Sequence, residues 1–237
     1  MSDQSQTNTR RATGRTYPPG YGIVEPVANY RPWDVDPEFA ELYGSIKDHT
    51  MVDIYRLWTL WFIARQVPAG DILEIGSWRG GSGAVLARAA IAPVRTVPAR
   101  RVYLADTFAG VVKATERDTY YRGGEHANTS ADIVRDLLAS VGAPGVEILE
   151  GVFPDQTGAA VSGRRFALCH IDVDVYQSAK DCFEWAWPRM EAGGVVVFDD
   201  FGFYGCEGVT SFVAEIAGQG LTVVPSLSGQ AIVTRAG

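Results

Sequence analysis

From Gly70 onward the chain alternates short apolar runs with helix-like stretches, and this pattern restricts the fold more than any other feature. DILEIG (71–76), VYLAD (102–106), VEILEG (146–151), FALCHID (166–172) and GGVVVFDD (193–200) each read as a strand. Helices are expected from the glycine-rich turn through Ala90, near 130–141, over 177–190 and near 207–218. Strands apolar on both faces with helices between them imply βαβ units. LTVVPS and QAIVTR flank Leu227-Ser228-Gly229 like the arms of a hairpin, which adds an antiparallel strand near the C-terminus. The expected fold is therefore α/β: a Rossmann-like, mostly parallel seven-stranded sheet with helices on both faces. Upstream, 37–48 and 52–66 read as helices. In the second, Ile54, Leu57, Trp58 and Trp61 fall at i, i+3, i+4 and i+7, and Leu60, Phe62 and Ile63 widen the stripe, so a well-buried helix is expected. The reading divides the chain into an irregular polar arm (1–34), a helical lid or cap (35–68) and a main domain (69–237).

Charge and composition exclude several classes. Lys and Arg total 21 against 28 Asp and Glu, a net charge of −7, which argues against a nucleic-acid partner; Arg10, Arg11 and Arg15 read as a solvated cluster. No apolar run reaches the 18 or so residues of a membrane helix, so no membrane partner is expected. The opening MSDQSQTNTRRATGR has no apolar core of a secretory signal. Cys169, Cys182 and Cys206 are odd in number and form no CxxC pair, so no disulfide framework or zinc cluster is expected and a reducing cytoplasm fits.

The turn Glu74-Ile75-Gly76-Ser77-Trp78-Arg79-Gly80-Gly81-Ser82-Gly83 follows the first strand and opens a helix. Glycines there let a ligand approach backbone N–H groups at a helix N-terminus. A phosphate-binding P-loop needs Gly-Lys-Ser/Thr, and no lysine follows Gly81. A dinucleotide fingerprint needs GxGxxG, and Trp78 takes the middle place. What remains is an acidic strand end, a glycine two residues on and a GG turn, which resembles motif I of class I S-adenosylmethionine methyltransferases. Asp106 ends the next strand, where an acid can hold two ribose hydroxyls.

Asp172 and Asp174 end one strand; Asp199 and Asp200 end the next. Ligands of open parallel sheets bind beyond the carboxyl ends of strands. If these two strands are neighbours, four carboxylates meet, repel and raise one another's pKa. A cation would relieve this, and an all-oxygen donor set selects Mg²⁺ or another hard divalent ion.

With these pieces the chain resembles the TylF (macrocin O-methyltransferase) family over roughly 48–215. The resemblance is carried by HTM (49–51), LEIGSWRGGS (73–82), ADTFAG (105–110), EGVFPDQT (150–157), IDVDVYQSA (171–179) and GGVVVFDDF (193–201). It implies S-adenosylmethionine, Mg²⁺ and a hydroxyl acceptor on a secondary metabolite, a deoxysugar, phenol or diol, with 69–237 as the methyltransferase domain. Carried over by position, Asp172, Asp199 and Asp200 hold the metal, and Asp174 is the general base. Glu74 and Gly76 face the methionine end and Asp106 the ribose. Ser82, Thr107 and Asp172 join the cofactor set. Thr50 and Met51 lie on a lid, and Ser130, Gly151 and Phe153 border the adenine. Catechol-type enzymes have a lysine where this chain has Val175, so a lysine base is absent.

The arm and the loop 113–129 match no motif and are the expected acceptor-contacting segments. His126, Tyr120, Phe201 and Tyr204 are candidate contacts, and Tyr120-Tyr121-Arg122 reads as an aromatic wall. His170, inside an apolar strand, reads as a hydrogen-bonded interior histidine. Trp185 and Trp187 read as packing. The reaction implied is an in-line displacement at a sulfonium methyl. A metal-dependent hydrolase on a similar sheet and a non-catalytic S-adenosylmethionine-binding scaffold remain as alternatives. A homo-oligomer, dimer or larger, is expected from an arm and lid that can swap onto a partner.

Overall fold

The computed structural model describes residues 19–21, 29–92 and 98–237. It separates into two compact units, Met1–Pro32 and Trp33–Gly237. The expected arm, with its Arg10, Arg11 and Arg15, lies mostly outside the described residues. The second unit carries the sheet and its helices.

Seven strands form one sheet: β1 (Asp71–Ile75), β2 (Val102–Asp106), β3 (Val146–Glu150), β4 (Phe166–Ile171), β5 (Met190–Phe198), β6 (Val223–Pro225) and β7 (Ala231–Thr234). Their order is β3-β2-β1-β4-β5-β7-β6. The first five strands pair in parallel; β7 runs antiparallel to β5, and β6 antiparallel to β7. This is the expected mixed sheet. Two boundaries differ from expectation by three residues or more. β5 begins at Met190 rather than at 193, and the preceding helix stops at Ala186, where a 3-10 turn carrying Pro188 takes over. Proline cannot donate the N–H that would continue the helix.

Among the described residues, six α-helices cover both faces: α1 (Pro37–Ile46), α2 (Ile54–Ala64), α3 (Gly81–Ile91), α4 (Ala131–Ser140), α5 (Tyr176–Ala186) and α6 (Glu207–Gly218). Leu57, Trp61, Leu86, Val134 and Leu137 pack with Ile72, Leu104 and Leu168 on one face. Cys182, Phe183, Phe212 and Val213 pack with Leu73, Cys169 and Phe198 on the other. Alternate strand residues thus feed alternate cores, as the period of two requires. Asp36 joins α1 to α2: it caps Phe39 N–H and accepts from Trp61 Nε1 at 2.9 Å and Arg65 Nη1 at 2.7 Å. Phe62, expected inside, is 54% exposed, because position 62 falls beyond the edge of the stripe centred on Leu57 and Trp61. Trp185 stacks edge-on against Phe153, and Trp187 stacks on Phe183, both as packing residues.

One acid of the loop 113–129 pins it to the start of α5. Buried Asp118 accepts from Thr115 N and Oγ1 through Oδ2, and from Tyr176 N through Oδ1 at 2.9 Å. It therefore caps α5 from outside, where the N-cap position, Val175, has no capping side chain. Asp118→Ala is expected to cost about 2 kcal/mol. Thermal unfolding checks it, and a melting point within a degree of wild type would show that the cap is dispensable.

Candidate active site

β1 and β4 are adjacent although not consecutive, so the chain reverses direction across the sheet between them, the place where open α/β sheets take ligands. The glycine turn leaves β1 there. Gly76 has φ +90°, and a Cβ on it would lie 1.7 Å from the Asp172 carbonyl oxygen. Its lack of a side chain lets the ends of β1 and β4 close together, with Asp172 N donating to Ile75 O at 2.9 Å. At Gly81 a Cβ would meet His49 O at 2.6 Å, so the HTM segment rests directly on the first turn of α3.

Around this turn the candidate cofactor residues divide into committed and open groups. Asp106 accepts from Trp78 N and Phe108 N at 2.7 Å each; burial raises its pKa against those hydrogen bonds. Thr107 closes a local turn with Gly110 O and Ala109 N. Ser130 is the N-cap of α4, accepting from Ile133 N. Ser82 is buried in the first turn of α3. Gly151, partly buried, follows β3, and Phe153 is buried. Thr50 accepts from Val52 N, while Met51 is 54% exposed. Glu74 lies fully buried beneath the turn, and its Oε2, like the buried Ser77 Oγ, has no hydrogen-bond partner.

Glu74, His170 and Asp199 form a row across β1, β4 and β5 on the α2–α3 side of the sheet, all with no solvent exposure. His170 Nδ1 lies 2.9 Å from Glu74 Oε1, and Nε2 lies 3.3 Å from Asp199 Oδ2 without hydrogen-bond alignment. Burial opposes the imidazolium, but Asp199 and Glu74 outweigh it and hold the His170 pKa well above its usual value. The histidine is thus an interior, paired group.

Because β4 and β5 pair, Asp172, Asp174, Asp199 and Asp200 come to one end of the sheet, divided between two clusters, so that the expected set Asp172, Asp199 and Asp200 is split between them. Ligand atoms of His170, Asp172 and Asp199 lie within 4.8 Å of one another, and so do those of Asp174, Asp200 and Cys206. Burial, then Asp199 and Asp200, push the Asp172 pKa well up. Burial lifts Asp174 to about 6, against hydrogen bonds from Tyr121 and Asp200. Asp200 rises to about 7 through burial, then repulsion from Asp174 and Asp199. Asp199 goes the other way: burial opposes its charge, but Arg56 and His170 hold its pKa low. Asp174 and Asp200 have φ of +65° and +64°, and the Val175 N to Val173 O bond of 2.7 Å makes Asp174 the centre of a three-residue turn. Such φ-positive γ-turns are rare and strained, and strain of this kind collects at functional sites.

The acceptor candidates lie around this rim. Tyr121, buried, sets its hydroxyl against Asp174 and 3.3 Å from His126 Nε2. Tyr120 is 46% exposed and packs edge-on against Tyr121. Phe201 is partly buried and Tyr204 exposed on the turn after β5. Sequence reasoning missed Arg56, Asp118, Cys206 and Gln230. The amide of Gln230 is fully buried beside Asp199, where it helps hold the carboxylate's pKa low. Arg56 had a signal: a cation in the first turn of an apolar helix opposes the helix dipole and calls for a nearby acid.

A sheet in this order, with a glycine turn after β1, an acid ending β2 and acids following β4 and β5, is a Rossmann-like frame with its ligand crevice at the switch point. A family model described as macrocin-O-methyltransferase (TylF) matches residues 45–217. The chain is 31% identical over 213 residues to an 8-demethyl-8-(2,3-dimethoxy-alpha-L-rhamnosyl)-tetracenomycin-C 4′-O-methyltransferase of Streptomyces olivaceus, covering 79% of this chain and 80% of the relative. It is 30% identical over 209 residues to a mycinamicin III 3″-O-methyltransferase of Micromonospora griseorubida, covering 78% and 81%. Among solved structures, the O-methyltransferase NovP aligns with a TM-score of 0.65 at 26% identity, over 80% of this chain and 83% of that one. The chain belongs to the macrocin O-methyltransferase (TylF) family and is an O-methyltransferase of natural-product biosynthesis. This sets aside the hydrolase and scaffold alternatives. No helix among the described residues is long and apolar enough to cross a membrane.

Proposed function

We propose that the chain methylates a sugar hydroxyl of a glycosylated natural product, using S-adenosylmethionine and a divalent cation of the Mg²⁺ type. The observation that supports this best is the rim itself: four carboxyls gather at the switch point, and on buried Asp199, Oδ1 has no hydrogen-bond partner while Oδ2 has only ion-pair contacts, 3.3 Å from His170 Nε2 and 3.4 Å from Arg56 Nη1. The oxygens of this rim fit a hard cation, with His170 and Cys206 standing beside them. Orphaned Glu74 Oε2 and Ser77 Oγ beneath an open glycine turn fit a polar cofactor. The sugar preference follows the relatives, whose names give 4′-O and 3″-O transfer.

In this reading Asp172, Asp199 and Asp200 hold the cation. Asp106, with the glycine turn from Gly76 through Ser82, Thr107, Ser130, Gly151 and Phe153, borders the cofactor, under the Thr50-Met51 segment. When bound, the cofactor supplies an electrophilic methyl and the cation stabilises a developing oxyanion. The chain supplies alignment, worth roughly 7–11 kcal/mol when reacting atoms are held in line. Asp174 accepts the acceptor's proton. Tyr121 orients the Asp174 carboxylate, and Tyr120, His126, Phe201 and Tyr204 wall the acceptor. The catalytic domain works as a dimer or larger assembly in the cytoplasm.

Exhaustive chelation is expected to lower S-adenosylhomocysteine formation at least a hundredfold, with recovery on adding Mg²⁺. Full turnover in chelator would exclude the cation. A panel of glycosylated natural products against simple phenols tests the acceptor, and methylation confined to the phenols would refute the sugar assignment.

A further inference from the structure

Arg56 is the one cation of α2 aimed at the carboxylate rim, and no motif assigned it a task. It is 7% exposed. Its own helix holds it firmly. Asp53, the N-cap of α2, accepts from Arg56 N at 3.1 Å through Oδ1 and from Arg56 Nε at 2.9 Å through Oδ2. Nη2 reaches Met51 O at 3.4 Å, and the guanidinium lies over the Phe203 ring, 4.9 Å from its centroid. Its hold on the rim is looser. Nη1 lies 3.4 Å from Asp199 Oδ2 and 3.5 Å from Asp200 Oδ1. Charge-assisted pairs close to about 2.7–2.9 Å when geometry allows. The Asp53 contact is of that kind and the two rim contacts are not.

This division of contacts matters because carboxylates gathered at the rim stay ionised together more readily beside a positive charge. Asp199 and Asp200 are also residues assigned to the divalent ion. An arginine anchored elsewhere and leaning on them can serve while no ion is bound, and can give way without losing its anchor. We infer that Arg56 is a resident counter-cation of the rim, a positioning residue that shares Asp199 and Asp200 with the divalent ion and sets how tightly that ion binds. The inference rests on the reading of the rim as a cation site. It also ties the lid to the metal, since Arg56 belongs to the helix that follows the Thr50-Met51 segment.

Two like charges competing for the same oxygens weaken each other's binding. Titration calorimetry of the full chain with Mg²⁺ should therefore show Arg56→Gln binding the ion roughly tenfold or more tightly than wild type, and Arg56→Lys, which keeps the charge, within about threefold. Thermal melting gives the second readout. In chelator, Arg56→Gln should melt below wild type, and saturating Mg²⁺ should close the gap, because a ligand stabilises by its affinity for the folded state. An arginine that only braces the lid would give the same loss of melting temperature with and without Mg²⁺, and unchanged or weaker Mg²⁺ binding; either result overturns the inference. A wild-type chain that binds no Mg²⁺ by calorimetry would instead remove the cation reading, and this inference with it.

Discussion

An Asp174→Asn protein is expected to bind S-adenosylmethionine with wild-type affinity and to turn over about 10²–10⁴-fold more slowly. The magnitude is what a positioned proton acceptor contributes, and asparagine removes only that function. Asparagine matches aspartate in shape and is among the few residues that tolerate a left-handed backbone, so the strained turn at φ +65° survives the change. Alanine would confound the test by straining the turn and freeing the Tyr121 hydroxyl beside it. Asp174 is distinguished from its three neighbours by its surroundings. Tyr121 and Asp200 hydrogen-bond it and Cys206 Sγ stands at 4.0 Å, whereas Asp199 and Asp200 are engaged by Arg56 and Asp172 clusters with His170 and Asp199. It is thus the acid left facing the loop 113–129, where an acceptor would enter. Single-turnover kinetics with calorimetric cofactor binding separate the two effects. Unimpaired kcat would end the base assignment.

Much of this site was legible because strands carry their own register. Once FALCHID and GGVVVFDD are read as parallel neighbours, the period of two places Asp172 and Asp174 against Asp199 and Asp200 without further information. Glu74 and His170 needed one more fact. His170 read as interior and Glu74 as facing the methionine end of the cofactor; their contact depends on β4 lying beside β1, a crossover that strand patterns alone do not specify. Arg56 and Gln230 were not legible for a related reason. Each reaches Asp199 from an element distant in sequence, α2 and the hairpin ahead of β7, and pairing at that range is decided by packing. Ser130 shows the reverse: its capping bond to Ile133 N is local, and S-A-D-I before an apolar run announces it. Phe62 failed because helix periodicity fixes the centre of a buried stripe better than its edges.

Gly76→Ala is expected to be the most damaging single-methyl change in the chain. Two costs coincide there. At φ +90° any side chain is strained, and the new Cβ would sit 1.7 Å from Asp172 O and 2.8 Å from Asp172 C. The obstacle is backbone on a central strand, so it cannot rotate away as a side chain would. It is also held from both sides, since Gly76 N donates to Ala105 O and Asp172 N donates to Ile75 O. Strain and overpacking together come to about 4 kcal/mol, a large share of a typical domain's stability, or roughly 10 °C in melting temperature for a chain of this size. The functional loss should exceed the loss of stability. Relief requires the ends of β1 and β4 to part, and that moves Asp172 away from Asp199 while opening the glycine turn. Cofactor and Mg²⁺ binding should therefore fall together in the folded fraction. Gly163→Ala provides the control, because a Cβ there meets nothing within 4 Å. A Gly76→Ala protein that melts with the Gly163→Ala protein and keeps both affinities would show that the sheet ends are free to separate, and that the turn does not join the two halves of the site.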